Sequence, residues 1–174
     1  MPISIRPATG DDIPAITRIY AHAVEYGTAS FELDPPDESE MARRQRALFD
    51  GGYPYIVAEE GSTILGYAYA GPFRPRPAYR HSVEDSVYVA QEAHRRGIGR
   101  ALLDALILRC TEAGFRQMIA VIGDSTLQAP SIALHAAAGF RSVGILDAVG
   151  YKHGRWLDSV YMQRPLGAGA TVDP

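Results

Sequence analysis

Cysteine is almost missing from this chain: Cys110 stands alone, so no internal disulfide can form, and the composition suits a reducing compartment. Long apolar runs are missing too, with no stretch approaching the roughly 18 residues of a membrane-spanning helix. The N-terminal MPISIRPATGDD carries neither the charged lead nor the apolar core of a secretory signal. A soluble cytoplasmic protein with no membrane partner is therefore expected. An excess of positive charge is absent as well. Lys and Arg number 17 against 20 Asp and Glu, giving a net charge of −3 and a pI near 5.9. That balance argues against a general nucleic-acid binder, so any basic site must be local. His22, His81 and His153 have no metal-ligand spacing with one another or with Cys110, and no metal is expected. Internal repeats, heptads and low-complexity tracts are likewise missing.

What is present suits one domain, with 174 residues, 47% of them hydrophobic, enough for a core without staples. The domain is expected over 1–166, with the small, polar GAGATVDP of 167–174 as a flexible tail. Residues 3–7 alternate as a strand. GDDIPAITRIYAHAVEYG then supplies capping aspartates, a first-turn proline and apolar Ile13, Ile16, Ile19, Tyr20, Ala23 and Val24 at helical spacing. After the loop TASFELDPP, DESEMARRQRALFDGG predicts a more polar second helix ended by glycines. PYIVAEEGSTILGYAYAGPF predicts a hairpin turning at Glu60-Gly61-Ser62. The proline-rich RPRPAY leads to a strand near 81–89, a helix at 97–113, a strand at 116–122, a helix at 130–138 and closing strands near 140–150 and 156–164. These elements predict one mixed sheet covered by helices.

The stretch SVYVAQEAHRRGIGRALLDALI, residues 86–107, delivers a strand through a basic glycine turn to a helix N-terminus. Free N–H groups and the positive end of the helix dipole converge there, which suits an anion. Gly97 and Gly99 allow close main-chain approach to a phosphate, and Arg95, Arg96 and Arg100 add charge. Neither common nucleotide loop fits, because no Lys follows Gly99 and Leu102 stands where the dinucleotide fingerprint needs a third glycine. A solvated basic turn is the plainer alternative.

The segment VYV followed by RRGIGRALL resembles the acyl-CoA signature of the GNAT superfamily of N-acetyltransferases. GPFRPRPAY, VEDSVYV, AVIGDS, SIALHAAAGF and KHGRWLDSVYMQ together resemble the branch containing the phosphinothricin and methionine sulfoximine/sulfone acetyltransferases. That likeness runs from about residue 3 to 166. It implies an α/β fold with a mostly antiparallel central sheet of six to seven strands and about four helices, and acetyl-CoA as acetyl donor. It also implies that turn amides from Arg95 through Gly97, Ile98, Gly99 and Arg100 hold the coenzyme pyrophosphate. Val87, Tyr88 and Val89 would line the acetyl-pantetheine, and Gln128 and Ser131 would contact its arm. The Val89 N–H is implied as donor to the thioester oxygen. Two departures stand out: His94 begins the glycine motif where the family has Gln or Arg, and Gln128 replaces the usual Asn.

Acetyl transfer to an amine needs a neutral nitrogen, a polarised carbonyl and a proton for the departing thiolate. An α-amine titrates near ~7.7–8.0, so a carboxylate acting through water suffices to free it. Glu84 matches the glutamate proposed as general base in the resembling branch; an exposed strand carboxylate is its structural alternative. Asp85 alternates to the other face and is the weaker base candidate. His135 stands where other branches carry a Tyr acid, and it is equally readable as a helix histidine satisfied by a neighbouring polar group. Cys110 sits among core-facing residues and is rejected as a nucleophile. Phe31, Phe73, Arg74, Pro75, Tyr79, Arg80 and Val83, together with Glu84 and Asp85, are the candidate acceptor pocket. A guanidinium there would grip a carboxylate, unless the segment is only a stiff connection with solvated arginines. KHGRWLD, with Lys152, His153 and Trp156, closes the far side or contributes to a dimer contact, and a homodimer is expected. The leading reading is acetylation of a small amino-acid-like amine. The alternatives are another amine, such as a polyamine or a protein N-terminus, or a non-catalytic acyl-CoA-binding module.

Overall fold

The computed structural model describes residues 2–174. The chain runs β1 (Ile3–Pro7), α1 (Ile13–Tyr26), α2 (Glu38–Asp50), β2 (Tyr55–Glu60), β3 (Thr63–Pro72), β4 (Ser82–Val89), α3 (Ile98–Glu112), β5 (Gln117–Gly123), α4 (Ala129–Ala137), β6 (Arg141–Lys152) and β7 (Arg155–Pro165). Short 3₁₀ turns at Gly10–Asp12, Pro77–Tyr79 and Gln91–Ala93 join some of them. The seven strands form one sheet in the order β1-β2-β3-β4-β5-β7-β6. Every neighbouring pair is antiparallel except β4 with β5. No helix among the described residues is long and apolar enough to cross a membrane.

Side-chain alternation along β4 assigns the two layers. Tyr88 meets Tyr20 of α1 edge-on, ring centroids 5.0 Å apart, so even-numbered residues face the α1–α2 side. Odd-numbered Val89 lies on the opposite face, beside α3. The predicted apolar stripe of α1 is the buried one, with Ile13, Ile16, Ile19, Tyr20 and Val24 all inside. Helix α3 buries Leu102, Leu103, Leu106 and Cys110 completely, each leucine contributing about 1.5–3 kcal/mol of transfer free energy. The closing hairpin is longer than expected because His153 and Gly154 both adopt positive φ, 50° and 74°. That geometry lets the strands run almost to the turn.

Asp12, expected as a helix cap, also anchors the first strand. Its two oxygens take Arg6 Nη1 and Nη2 at 2.8 Å each, and Thr9 N–H donates to it at 2.7 Å. Arg6 Nε donates to Glu59 at 2.8 Å, so β1, β2 and the start of α1 share one guanidinium. Hydrogen bonding from Arg6, opposed by burial, holds the Asp12 carboxyl below its usual range. Beyond Leu166, Arg116 donates to the carbonyls of Gly169 and Asp173.

Asp12→Asn is expected to cost about 1.5–3 kcal/mol near pH 7, the scale of hydrogen bonds to a charged group. The wild-type advantage should be complete above ~3.9, the unfolded carboxylate value, and disappear as pH falls through the lowered native value. Urea denaturation of both proteins across that range measures it; equal stabilities at pH 7 would show the pair contributes nothing.

Candidate active site

The site begins where β4 and β5 part. They pair only over Ser82–Asp85 against Gln117–Ala120, after which β5 continues with β7 while Ser86–Val89 keep β3 alone. A cavity of about 60 Å³ opens between them, lined by Ser86, Val87 and Tyr88 of β4, Ala120, Val121 and Ile122 of β5, and Gln128, Ser131 and His135 around α4. Ala90 N–H donates to Leu65 O on the β3 side. Successive strand N–H groups alternate sides, so the Val89 N–H points into the opening.

Past β4 the glycine turn takes the form its sequence requires. Arg95 and Gly97 have φ of 61° and 80°, and α3 starts at Ile98 without a side-chain cap. Gly97 supplies the conformation, whereas a Cβ on Gly99 would make only ordinary contacts with Leu134 and Val89. His94 closes the turn, its Nε2 lying 3.1 Å from Val89 O. Two of the three arginines are occupied: Arg96 donates to both Glu60 oxygens at 2.9 and 3.0 Å, and Arg100 Nε to Asp104 at 2.6 Å. Arg95 makes no ion pair among the described residues.

Glu84 and Asp85 project to opposite faces of β4. Glu84 is half-buried among Tyr69, Ser86 and Arg74, and its carboxyl is raised by desolvation and the Asp85 charge, against the opposing Arg74 cation. Asp85 is 6% exposed, and its Oδ2 lies 2.9 Å from Nε2 of His135, itself 4% exposed. The other ring nitrogen, Nδ1, lies 2.7 Å from Ser131 O. His135 is thus satisfied by neighbouring polar groups, and it also lines the cavity. Asp85 does not stand with Glu84, because strand alternation turns it to the opposite face, onto the cavity between β4, β5 and α4. Val83 does not stand with Glu84 either. It is fully buried beneath the sheet, on the Asp85 face. Cys110 is sealed in α3, its thiol pushed up to about 12 by burial and the Asp85 charge.

On the loop after β3, Phe73 and Tyr79 meet edge-on at 5.7 Å, and the Arg74 guanidinium lies over the Phe73 ring at 5.0 Å. Pro75, Tyr79 and Arg80 are exposed on this loop, Arg80 Nη1 reaching only Pro77 O at 3.5 Å. Opposite stands the α1–α2 loop. Phe31 lies against Gly123 and Gly150, where a Cβ at either position would run into its ring. Lys152, 4% exposed, donates to Ser30 O at 2.8 Å, and His153 Nε2–H donates to Gly27 O at 3.2 Å. Tyr20 adds bonds to Ser30 Oγ at 2.9 Å and Glu32 at 2.8 Å. Sequence reading missed Tyr20, Glu32 and the clamp made by Lys152, since their partners are distant in sequence. The two glycines facing Phe31 were the available signal.

A seven-stranded sheet that splits between parallel strands, with an uncapped glycine turn at the split, defines the GNAT class of acyltransferase fold. The chain belongs to this family: residues 5–161 match the acetyltransferase (GNAT) domain. It is 54% identical over 171 residues to the phosphinothricin N-acetyltransferase of Alcaligenes faecalis, covering 98% of this chain and 86% of that protein. It is 42% identical over 171 residues to the L-methionine sulfoximine/L-methionine sulfone acetyltransferase of Pseudomonas paraeruginosa, covering 95% and 96%. A crystal structure of a GNAT superfamily phosphinothricin acetyltransferase from Sinorhizobium meliloti in complex with AcCoA superposes with a TM-score of 0.96 at 51% identity, covering 100% and 94%.

Gly150→Ala should expel Phe31 from its slot and cost about 1–3 kcal/mol, the usual range for overpacking. Urea denaturation with chymotryptic mapping of residues 27–36, which contain Phe31 and Leu33, measures it. Unchanged stability and an uncut loop would mean that Phe31 is not held by these glycines.

Proposed function

We propose that this chain transfers an acetyl group from acetyl-CoA to the α-amine of a small amino-acid-like acceptor of the phosphinothricin, methionine sulfoximine or methionine sulfone type. The observation that carries the reading is the split service of adjacent β4 residues. Glu84 supplies a carboxylate with raised proton affinity to the Arg74 side, and Asp85 serves the coenzyme-side cavity. The near full-length likeness to enzymes named for such acceptors supports the choice.

The residues at hand match the coenzyme's needs: an uncapped helix start with Gly97 for phosphates, Val87 and Tyr88 with Gln128 and Ser131 along the arm, and a free Val89 N–H. Bound there, acetyl-CoA supplies an activated acetyl thioester. Glu84, through water, accepts a proton from the acceptor ammonium, freeing the nitrogen lone pair. The Val89 N–H donates to the carbonyl oxygen as charge grows on it. The nitrogen–carbon bond forms and the carbon–sulfur bond breaks. The attacking nitrogen gives up its second proton to solvent as the amide forms, the His135 side gives a proton to sulfur, and Glu84 passes its own to solvent. The products are an amide, a free thiol and one proton. Arg74 and Arg80 are the groups that would hold the acceptor carboxylate. The reading places the enzyme in the cytoplasm, where the Cys110 thiol stays reduced.

Thiol release from acetyl-CoA, assayed with methionine sulfone and phosphinothricin against their amides, polyamines and peptides, tests this directly. Acids should outpace amides, and Glu84→Gln should lower turnover ~10²–10⁴-fold while coenzyme still binds. Faster turnover of amides or polyamines would replace the acceptor class, and no thiol release with any amine would leave a binding module.

The same reading includes a homodimer. Strand β6 ends the sheet and is exposed along nearly its whole length, with Val143, Ile145, Leu146 and Val149 between 48% and 55% accessible. Tyr151 and Trp156 continue the patch, meeting edge-on at 5.2 Å. So long an apolar edge invites a second copy, and two-fold pairing buries the same strand twice. Sedimentation at micromolar concentration should give a dimer that Ile145→Lys dissociates; a monomeric wild type would end this part of the proposal.

A further inference from the structure

The His135 ring has no idle nitrogen. Ser131 O is a carbonyl and can only accept, so the nitrogen 2.7 Å from it, Nδ1, carries a hydrogen. Nε2 is left facing Asp85 Oδ2 at 2.9 Å, and a contact of that length needs one further proton between nitrogen and oxygen. Asp85 Oδ1, also buried, has no partner among the described residues. The bond crosses the fold at a particular place. Asp85 is the last β4 residue paired with β5, and His135 reaches it from α4, so the pair bridges the mouth of the cavity that both residues line.

We propose that Asp85 is a positioning residue that acts through His135, holding the imidazole doubly protonated and aimed across the gap between β4 and α4 as the proton store for the departing thiolate. The proposal rests on the acetyl-transfer reading. Its balance is simple: sulfur gains the proton, the ring becomes neutral with Nδ1–H still on Ser131, and Asp85 stays ionised. A neutral Nε2 lone pair facing a carboxylate is unfavourable, so the pair reloads from solvent. Burial disfavours the imidazolium, but the Asp85 hydrogen bond and charge together with the Ser131 carbonyl outweigh it and raise the ring above its ordinary value. That moves it in the direction of a thiol, and a closer match favours proton transfer between them. The other groups around the pair do not compete. From α3 comes Cys110, neutral at working pH; β5 brings Ala120, Val121 and Ile122; Phe140 meets the ring edge-on at 5.0 Å; and Glu84 lies on the far face of β4.

Nitrogen-15 NMR of histidine-labelled full-length protein tests the proposal without turnover, His135→Gln identifying the signal among five histidines. In the wild type both His135 nitrogens should stay protonated through neutrality. In Asp85→Asn the ring should titrate at least one pH unit lower, and Asp85→Glu should recover part of the shift. With acetyl-CoA and acceptor saturating, the ratio of Asp85→Asn to wild-type kcat should fall about tenfold between pH 6.5 and 8. The KM for acetyl-CoA should change less than twofold, and His135→Gln should lack this pH-dependent fall. A singly protonated His135 in the wild type at pH 7 would overturn the proposal even if Asp85→Asn fails to fold, and so would an unshifted ring in that variant. Absence of thiol release by the wild type would sink the transfer reading instead, with the titration still deciding the pairing.

Discussion

Everything at the site depends on one pair of parallel strands coming apart. Backbone donors and acceptors cannot be left buried without partners, so a sheet normally stays zipped. Here β4 and β5 separate after four paired residues, and the exposed edge of β4 has its N–H groups turned into a cavity. Strand β5 can leave because β7 takes over its other side along its full length. The free N–H of Val89 and the uncapped start of α3 lie in sequence on either side of one short turn. Free N–H donors are thereby held by the backbone itself, which no substitution of a surface side chain removes.

Alternation along β4 then divides the chemistry. In the proposed mechanism a carboxylate at the amine and a proton source at the sulfur must lie near one another yet not share a proton. Consecutive residues on a strand meet that requirement, since Glu84 and Asp85 are neighbours in the chain and open onto opposite faces. Their mutual charge raises the Glu84 carboxyl, and the Arg74 cation restrains that rise. The α1–α2 loop is held by long-range clamps. Lys152, His153 and the Phe31 slot fasten the α1–α2 loop to the β6–β7 hairpin, so the pocket's shape is tied to the edge of the sheet.

Much of this was legible in the chain. The order and type of elements followed from apolar spacing and turn residues, with boundaries shifted by a residue or two where capping and the His153-Gly154 turn extended a strand. The glycine turn was readable because its backbone needs Gly97, and the opposite faces of Glu84 and Asp85 followed from period-two alternation. Val83 was assigned to the acceptor pocket from its place beside Glu84, and the same alternation sends it into the core. The charge of Arg96 and Arg100 was taken as available to phosphates; in the structure Arg96 pairs with Glu60 and Arg100 with Asp104.

What the sequence by itself determined is therefore whatever depends on local covalent geometry: helix and strand periods, the positive φ of the turn, and which neighbours in β4 share a face. Only the tertiary structure decided the partners. Nothing in the chain announces that Asp85 meets His135 fifty residues later, that Lys152 reaches back to Ser30, or that Gly123 and Gly150 together make room for Phe31. Such contacts arise from packing of elements distant in sequence, where burial and the need to satisfy each polar atom select among many residues of suitable type.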